Sequence, residues 1–315
     1  MSLRFSIIVP LYNKAPYVRK ALQSISAQSF TDYEVIVVDD GSTDNSADIV
    51  RELVNDHIRL ISQLNSGVAA ARNNGVAASK GEYLCFLDAD DWWEPSFLKE
   101  MDQMIDAYPD AGLYGCDYFY VKNGMKKIYP KDTEGYIDYC KVYTHCGAMP
   151  IHPNGAIIPR HVFDEVGGFN PSIKMGEDFI LFMQIVFKYK VAFLNKQLVY
   201  FNQDADPKWR AITKLHKPEH HMLWHVAQWE DKEKTDASYK AMIDMLRVIG
   251  LMNYWLSDEY HETAKSELAK VDWSKQPGKV KTQYEKPIRL LKTKRRFMLM
   301  GSYFKQILIR MRNKK

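Results

Sequence analysis

The stretch Glu34-Val35-Ile36-Val37-Val38-Asp39-Asp40-Gly41-Ser42-Thr43-Asp44 decides the fold. Its first half is a near-continuous β-branched apolar run, the composition of a parallel strand buried on both faces. It breaks at two aspartates and a glycine, and Ser42, Thr43 and Asp44 are favoured turn and helix-start residues. Upstream, Phe5-Ser6-Ile7-Ile8-Val9 reads as a buried strand stopped by Pro10. A helix over residues 16–28 follows it, with Pro16 tolerated in the first turn. Downstream come a helix over 46–54, a strand over 58–61, an alanine-rich helix over 68–78 and a strand over 82–87. Strand–helix alternation with short connections predicts an α/β fold with a doubly wound sheet. Ligands of such sheets bind at the carboxyl ends of the strands, and two acidic clusters fall there in succession.

Beyond Trp92 the pattern loosens. Strands are expected over 112–121, 156–158 and 191–200, and a helix over 179–188. From about residue 215 the chain reads as helical, over 216–229, 237–256 and 260–271, with a long basic segment after Pro287. A boundary near 214 separates an α/β domain (1–214) from a helical C-terminal region (215–315) with a basic amphipathic tail.

At 315 residues, 46% of them hydrophobic and 13% aromatic, the chain can bury a sizeable core. Its net charge of +4 hides an asymmetry. Eleven basic residues and no acidic ones lie between Lys286 and Lys315, leaving 32 basic against 39 acidic residues before them, a balance of −7. A nucleic-acid binder carries positive charge on its folded body, so that class is not expected. The four cysteines, Cys85, Cys116, Cys140 and Cys146, lack metal-site or disulfide spacing and read as reduced thiols. The apolar run before Pro10 is too short for a signal peptide, and no stretch is long enough to span a bilayer. A cytoplasmic location is expected.

Asp88-Ala89-Asp90-Asp91 follows the fourth strand. Carboxylates at i and i+2 of an extended segment share one side, and oxygen ligands of this kind suit Mg²⁺ or Mn²⁺. The bland alternative is a solvated turn, with Asp91 capping the next helix. Asp39 or Asp40 can accept from a base N–H or a ribose hydroxyl, or simply serve the turn. The helix after Asn65-Ser66-Gly67 can receive phosphate at its start, with Arg72 adding charge. Alternatively its alanines permit close packing on the sheet and Arg72 faces water. Gly176-Glu177-Asp178 sets two carboxylates at a helix start, where the dipole favours the ionised form that a general base needs. The alternative is charge complementarity without catalysis. His216, His220, His221 and His225 read as a polar helix face, with His216 a candidate to complete a metal site.

Taken in order, these motifs resemble the family 2 inverting glycosyltransferases of the GT-A fold, of the bacterial polysaccharide type. Ile8-Val9-Pro10-Leu11-Tyr12-Asn13 is similar to the family's opening motif, and Val38-Asp39-Asp40-Gly41-Ser42-Thr43-Asp44 to its second. Asn65-Ser66-Gly67 with Arg72-Asn73 is similar to the third, and Asp88-Ala89-Asp90-Asp91 to the metal motif. Gly167-Gly168-Phe169 and Glu177-Asp178 are similar to the late ones. The resemblance covers roughly residues 4–212. It implies a Rossmann-like, doubly wound mixed sheet with a C-terminal helical extension, and a sugar moved from a nucleotide donor, a UDP-sugar, to a saccharide or lipid-linked acceptor.

Carried over by position, Pro10 and Tyr12 line the base pocket, and Asp39, Asp40 and Asn65 belong to the nucleotide site. Arg72 lies near the nucleotide or its phosphates. Asp88 meets the ribose or the metal, and Asp90 binds Mg²⁺ or Mn²⁺. Asp178 is the base, and Glu177 helps to position the acceptor. The family's late Tyr-x-Arg segment is replaced here by Tyr200-Phe201-Asn202-Gln203-Asp204, with Arg210 a candidate substitute and 201–212 a candidate lid.

The tail interleaves apolar and basic residues, so it is read as resting on an anionic membrane surface at the inner membrane face, or else as packing on the folded body with its charges solvated. A sugar nucleotidyltransferase would share the layout, but Pro10–Pro16 lacks a glycine-rich triphosphate loop. A non-catalytic scaffold of the same fold is opposed by the intact Asp90 and Asp178.

Overall fold

The computed structural model describes residues 3–128, 131–205, 215–288 and 290–291. They form two compact units by internal contacts. One comprises the described residues within 1–137 and 150–222, and the other residues 138–149 with the described residues from 223 to 291. The sequence expects a single break near residue 214. The helical unit instead recruits a segment from the middle of the chain, the helix α5 (Tyr139–Cys146, after α1–α4 below), which packs on the helix Ala237–Gly250.

The larger unit is built on one mixed sheet. Its strands are β1 (Phe5–Leu11), β2 (Tyr33–Asp39), β3 (Ile58–Ser62), β4 (Tyr83–Phe86), β5 (Trp92–Trp93), β6 (Ala111–Lys122), β7 (Met125–Lys127), β8 (Gly135–Ile137), β9 (Ala156–Pro159) and β10 (Lys190–Asn202). The order β3-β2-β1-β4-β9-β6-β10-β5 has β7 added beside β6 and β8 beside β10. β1 to β4 run parallel, with Leu11 level with Asp39 and Asp39 level with Ser62. β9 then enters antiparallel between β4 and β6, and this insertion makes the sheet mixed.

The helices of this unit are α1 (Val18–Ser26), α2 (Ser46–Arg51), α3 (Val68–Ala77), α4 (Phe97–Ala107), α6 (Arg160–Val166) and α7 (Glu177–Val186). α1 buries Val18, Ala21, Leu22 and Ile25, the i, i+3, i+4, i+7 stripe of a helix laid on a core. α4 and α6 lie outside the expected elements, although the buried Phe97, Leu98, Met101, Met104 and Ile105 of α4 repeat at helical spacing. α3 shows why its sequence is so small. A Cβ added at Gly75 would fall 2.4 Å from Ile8 Cγ2 and 3.1 Å from Val38 Cγ2. Gly75→Ala is therefore expected to destabilise by about 1–3 kcal/mol through overpacking. An unchanged urea midpoint would show that α3 can retreat from the sheet.

The helix expected over 216–229 is interrupted. Pro218–His220 is a 3₁₀ turn, Met222–His225 a single α turn and Val226–Trp229 another 3₁₀ turn. Pro218 forces Lys217 into extended backbone with ψ 149°, so the helix cannot start before it, and the chain is extended again at His221, ψ 133°. In the helical unit, Arg247 is fully buried, its fork held at 2.7 Å by both oxygens of Glu233 and its Nε 3.2 Å from Glu267. All four cysteines are buried free thiols. Among the described residues no helix is long and apolar enough to cross a membrane. The tail beyond residue 291 and the segment 206–214, with Arg210 and most of the candidate lid, lie outside the described residues.

Candidate active site

The parallel strands end together, and their loops are laced to one another. Asn13, in left-handed backbone at φ 52°, accepts through Oδ1 from the backbone N–H of Thr43 at 2.8 Å and of Asp44 at 3.3 Å. The Pro10–Tyr12 end of β1 is thereby fixed against the turn after β2, and Tyr12 stays half-buried. Asp39 accepts from the N–H of Ser42 at 3.0 Å, which shapes the turn. Asp40, only 4% exposed, accepts from Gln63 Nε2 at 2.7 Å, from Ser66 N–H at 2.8 Å and from Gly67 N–H at 2.9 Å. These three bonds hold the loop carrying the exposed Asn65. Both strand-end acids therefore hold the loops at this end of the sheet, while Asp40 keeps part of its four-site accepting capacity.

Arg72 does not face water. It is 3% exposed, donating from NH2 to Asp88 Oδ1 at 2.8 Å and from NH1 to Glu177 Oε1 at 2.9 Å. Its guanidinium carbon lies 5.1 Å from the centroid of the Phe169 ring. The charge was readable from the sequence, but its direction was not. α3 packs on β1 and β2 and turns Arg72 inward, where a lone cation would be costly without the acids around it. The surrounding carboxylates keep it firmly protonated. Burial alone would raise the pKa of Asp88, but Arg72 first, then His152 and Lys14, together outweigh it and hold that carboxyl below its ordinary value.

Asp178 runs the other way. It opens α7 after Gly176, whose φ of 82° and crowding against Met222 (an added Cβ would fall 2.4 Å from Sδ) leave room only for glycine. The helix-start argument predicts a carboxylate kept ionised. Instead, burial first and the adjacent Glu177 second push Asp178 up to about 7, against the opposing pull of Arg72 and of its bond from Phe179 N–H at 2.7 Å. Desolvation beside a like charge overrides the dipole. The outcome is a carboxyl titrating near neutrality, where a general base works best.

The Asp88–Asp91 run divides its work. Asp88 and Asp90 keep 30% and 14% of their side-chain surface. Asp91 is 2% exposed and is not a helix cap, since Trp92–Trp93 is a strand and α4 begins after Ser96. Its carboxyl accepts from Asn202 N–H at 2.6 Å and from the Asn154 side chain, and burial beside Asp90 and Asp88 drives its pKa well up. Asn154, itself fully buried, also accepts from Asp88 N–H at 2.9 Å and so fixes the angle of that acid.

Asn154, His152 and Lys14 are the residues that motif reading missed. His152 packs on Phe201, ring centroids 4.2 Å apart, and burial lowers it to about 4. Lys14 donates to Asp90 Oδ2 at 2.6 Å. A proline and a glycine in His152-Pro153-Asn154-Gly155 announce a turn, but nothing in the sequence says that it folds beneath Asp88.

An oxygen-only pair of carboxylates at a strand end fits a hard divalent cation, which takes its remaining ligands from phosphate and water. Asp88 and Asp90 are the residues that would hold it. Among the described residues no three His, Cys, Asp or Glu side chains converge as a complete cage. His220 has a structural tie beside this site. His220 O accepts from the N–H of Lys174 at 2.8 Å and of Met175 at 3.1 Å, and its ring bonds Ser172 O, bracing the approach to Gly176.

Comparison with known proteins bears on this geometry. The chain is 30% identical over 245 residues to the uncharacterized glycosyltransferase alr2836 of Nostoc sp. (strain PCC 7120 / SAG 25.82 / UTEX 2576), covering 75% of this chain and 72% of that one. Among solved structures it is similar to S. aureus TarS 1–349 in complex with UDP-GlcNAc, with a TM-score of 0.61 at 20% identity, over 85% of this chain and 71% of that one. It is also similar to the mannosyltransferase PcManGT from Pyrobaculum calidifontis in complex with GDP-Man and Mn2+, with a TM-score of 0.61 at 21% identity, over 99% and 87%. These structural likenesses show the fold, which is GT-A. The model of glycosyl transferase family 2 matches residues 6–167, just over half the chain, and spans every strand-end acid from Asp39 to Asp91. The chain belongs to glycosyl transferase family 2.

Proposed function

We propose that this chain transfers a sugar from a nucleotide-sugar donor to a hydroxyl of a saccharide or lipid-linked saccharide, by direct displacement with inversion. The observation that carries the reading is the buried relay Asp88–Arg72–Glu177, with Asp178 beside it titrating at about 7. It couples a strand-end acid suited to the donor side with a base suited to the acceptor side. The acceptor oxygen bonds to the anomeric carbon as that carbon's bond to the diphosphate oxygen breaks. The acceptor proton passes to Asp178, and the electron pair leaves with the nucleoside diphosphate.

Asp88 and Asp90 would hold Mg²⁺ or Mn²⁺, whose charge offsets that building on the leaving diphosphate. Pro10, Tyr12, Asp40 and Asn65 frame the nucleoside end, and Asp39 shapes the turn beside them. That PcManGT holds GDP-Man and Mn2+, and TarS UDP-GlcNAc, supports a nucleotide-sugar donor with a divalent ion. A panel of UDP- and GDP-sugars, each with and without Mn²⁺, tests this by thermal shift. At least one is expected to raise the melting temperature only when the metal is present, and a flat panel would contradict the proposal.

A site at the cytoplasmic face is proposed with it, the basic segment 286–315 meeting anionic lipid. Sedimentation with anionic vesicles should then fall when that segment is removed. Equal sedimentation of the two chains would reject the membrane role.

A further inference from the structure

The loop after β1 carries a cation that the proposed chemistry does not use. Lys14 follows the left-handed Asn13, and its backbone N–H donates to Ser46 Oγ at 2.8 Å. The root of the side chain is thus tied to the start of α2, while its four-carbon stem remains free to turn. Its ammonium lies 2.6 Å from Asp90 Oδ2, and the two side chains are 16% and 14% exposed. Its charge is felt at Asp88 and Asp91 as well. Most lysines this close to an acid stand at the surface, where such a pair contributes little. This one is largely withdrawn from water, on an oxygen assigned above to the metal.

An ammonium and a divalent cation cannot both be held closely by that oxygen. The ion would sit about 2.1 Å from it, and two like charges would then face each other at short range in a partly desolvated site, where repulsion is poorly screened. We infer that Lys14 is the site's resident counter-cation, and that a divalent ion reaches Asp90 by displacing its ammonium. The displaced ammonium needs another anion, and a donor diphosphate is one. Metal and donor would then each bind weakly alone and strengthen each other, a coupling that must be reciprocal.

The inference rests on the metal role of Asp90, so the test separates the two. Mn²⁺ alone is titrated into the full chain, with free Mn²⁺ followed by electron paramagnetic resonance. Lys14→Met and Lys14→Gln, which remove the charge in two different ways, are expected to bind Mn²⁺ about tenfold more tightly than wild type, or about 1.4 kcal/mol. Lys14→Arg, which keeps the charge, should show no gain, and Asp90→Asn should lose binding. If wild type binds Mn²⁺ and neither neutral variant binds it more tightly, the inference fails and the metal role stands. If no variant binds Mn²⁺ and Asp90→Asn is indistinguishable from wild type, both fail together.

Discussion

Replacing Asp178 by Asn is expected to cut sugar transfer by about 10²–10⁴-fold, the usual contribution of a positioned general base, while leaving donor binding near the wild-type level. The amide preserves the shape of the side chain at the start of α7 and its place beside Glu177, but it cannot take the acceptor proton. The wild-type rate carries a second signature. Because burial and Glu177 raise Asp178 to about 7, the base is increasingly protonated below neutrality. Transfer should therefore fall about tenfold per unit as pH drops below that value, and level off above it. A rate flat between pH 5 and 8, or an Asp178→Asn variant that loses donor binding instead of turnover, would remove Asp178 from this role.

The second large effect is expected at Arg72. Arg72→Met leaves Asp88 and Glu177 facing each other without the guanidinium that now joins them, 2.8 Å and 2.9 Å from its two ends. Removing one partner of a buried pair costs about 3–5 kcal/mol, enough to consume much of a domain's stability. The loss should depend on pH. Arg72 depresses the pKa of Asp88, so the stability drawn from that acid is present above its unfolded value of about 3.9 and fades as pH falls through the lower folded value. The gap between variant and wild type is therefore widest near neutrality and narrows in acid. In whatever fraction remains folded, Asp178 loses a cation that holds its pKa down, and the acidic limb of the rate profile should move to higher pH. Chemical denaturation across pH, combined with the rate profile, measures both. A stability loss equal at pH 3 and pH 7 would mean that Arg72 acts by packing alone.

The parallel half of the fold was legible because each of its strands announces itself. β1 and β2 are nearly all apolar, since both faces are covered; β2 stops at its aspartates, while β1 runs through Pro10, expected to end it, to Leu11. The acids at their ends could be placed for the same reason. Past Trp92 the signals weaken for physical causes. A two-residue strand such as β5 has no periodicity to read. α5 is rich in β-branched and aromatic residues, poor helix formers in isolation, and is held by packing on a helix about a hundred residues later in sequence.

The sequence shows which candidate residues gather at the strand ends, and much less what each one touches. Asp91 looked like a cap because its chain neighbours suggest a helix start. It is a buried tie to Asn154 and Asn202, partners that only the insertion of β9 and the return of β10 bring near. Arg72 was expected near the nucleotide or its phosphates, and nothing in the sequence says that it also joins Asp88 to Glu177. Lys14 was invisible because a lysine after a strand is ordinarily a solvated charge. Asp178 was placed correctly at a helix start, yet the dipole expected to keep it ionised is outweighed by desolvation and by Glu177, neither of which has a sequence signature.

The division of labour between the donor-side acids and Asp178 is most directly tested by one calorimetric comparison, titrating a nucleotide-sugar chosen from the thermal-shift panel with Mn²⁺ into wild type, Asp90→Asn and Asp178→Asn. Wild type and Asp178→Asn are expected to bind the donor with similar affinity and far more tightly with the metal than without it, while Asp90→Asn shows no metal-dependent gain. Metal-dependent binding that survives Asp90→Asn, or disappears in Asp178→Asn, would contradict the assignment of donor and acceptor chemistry to the two ends.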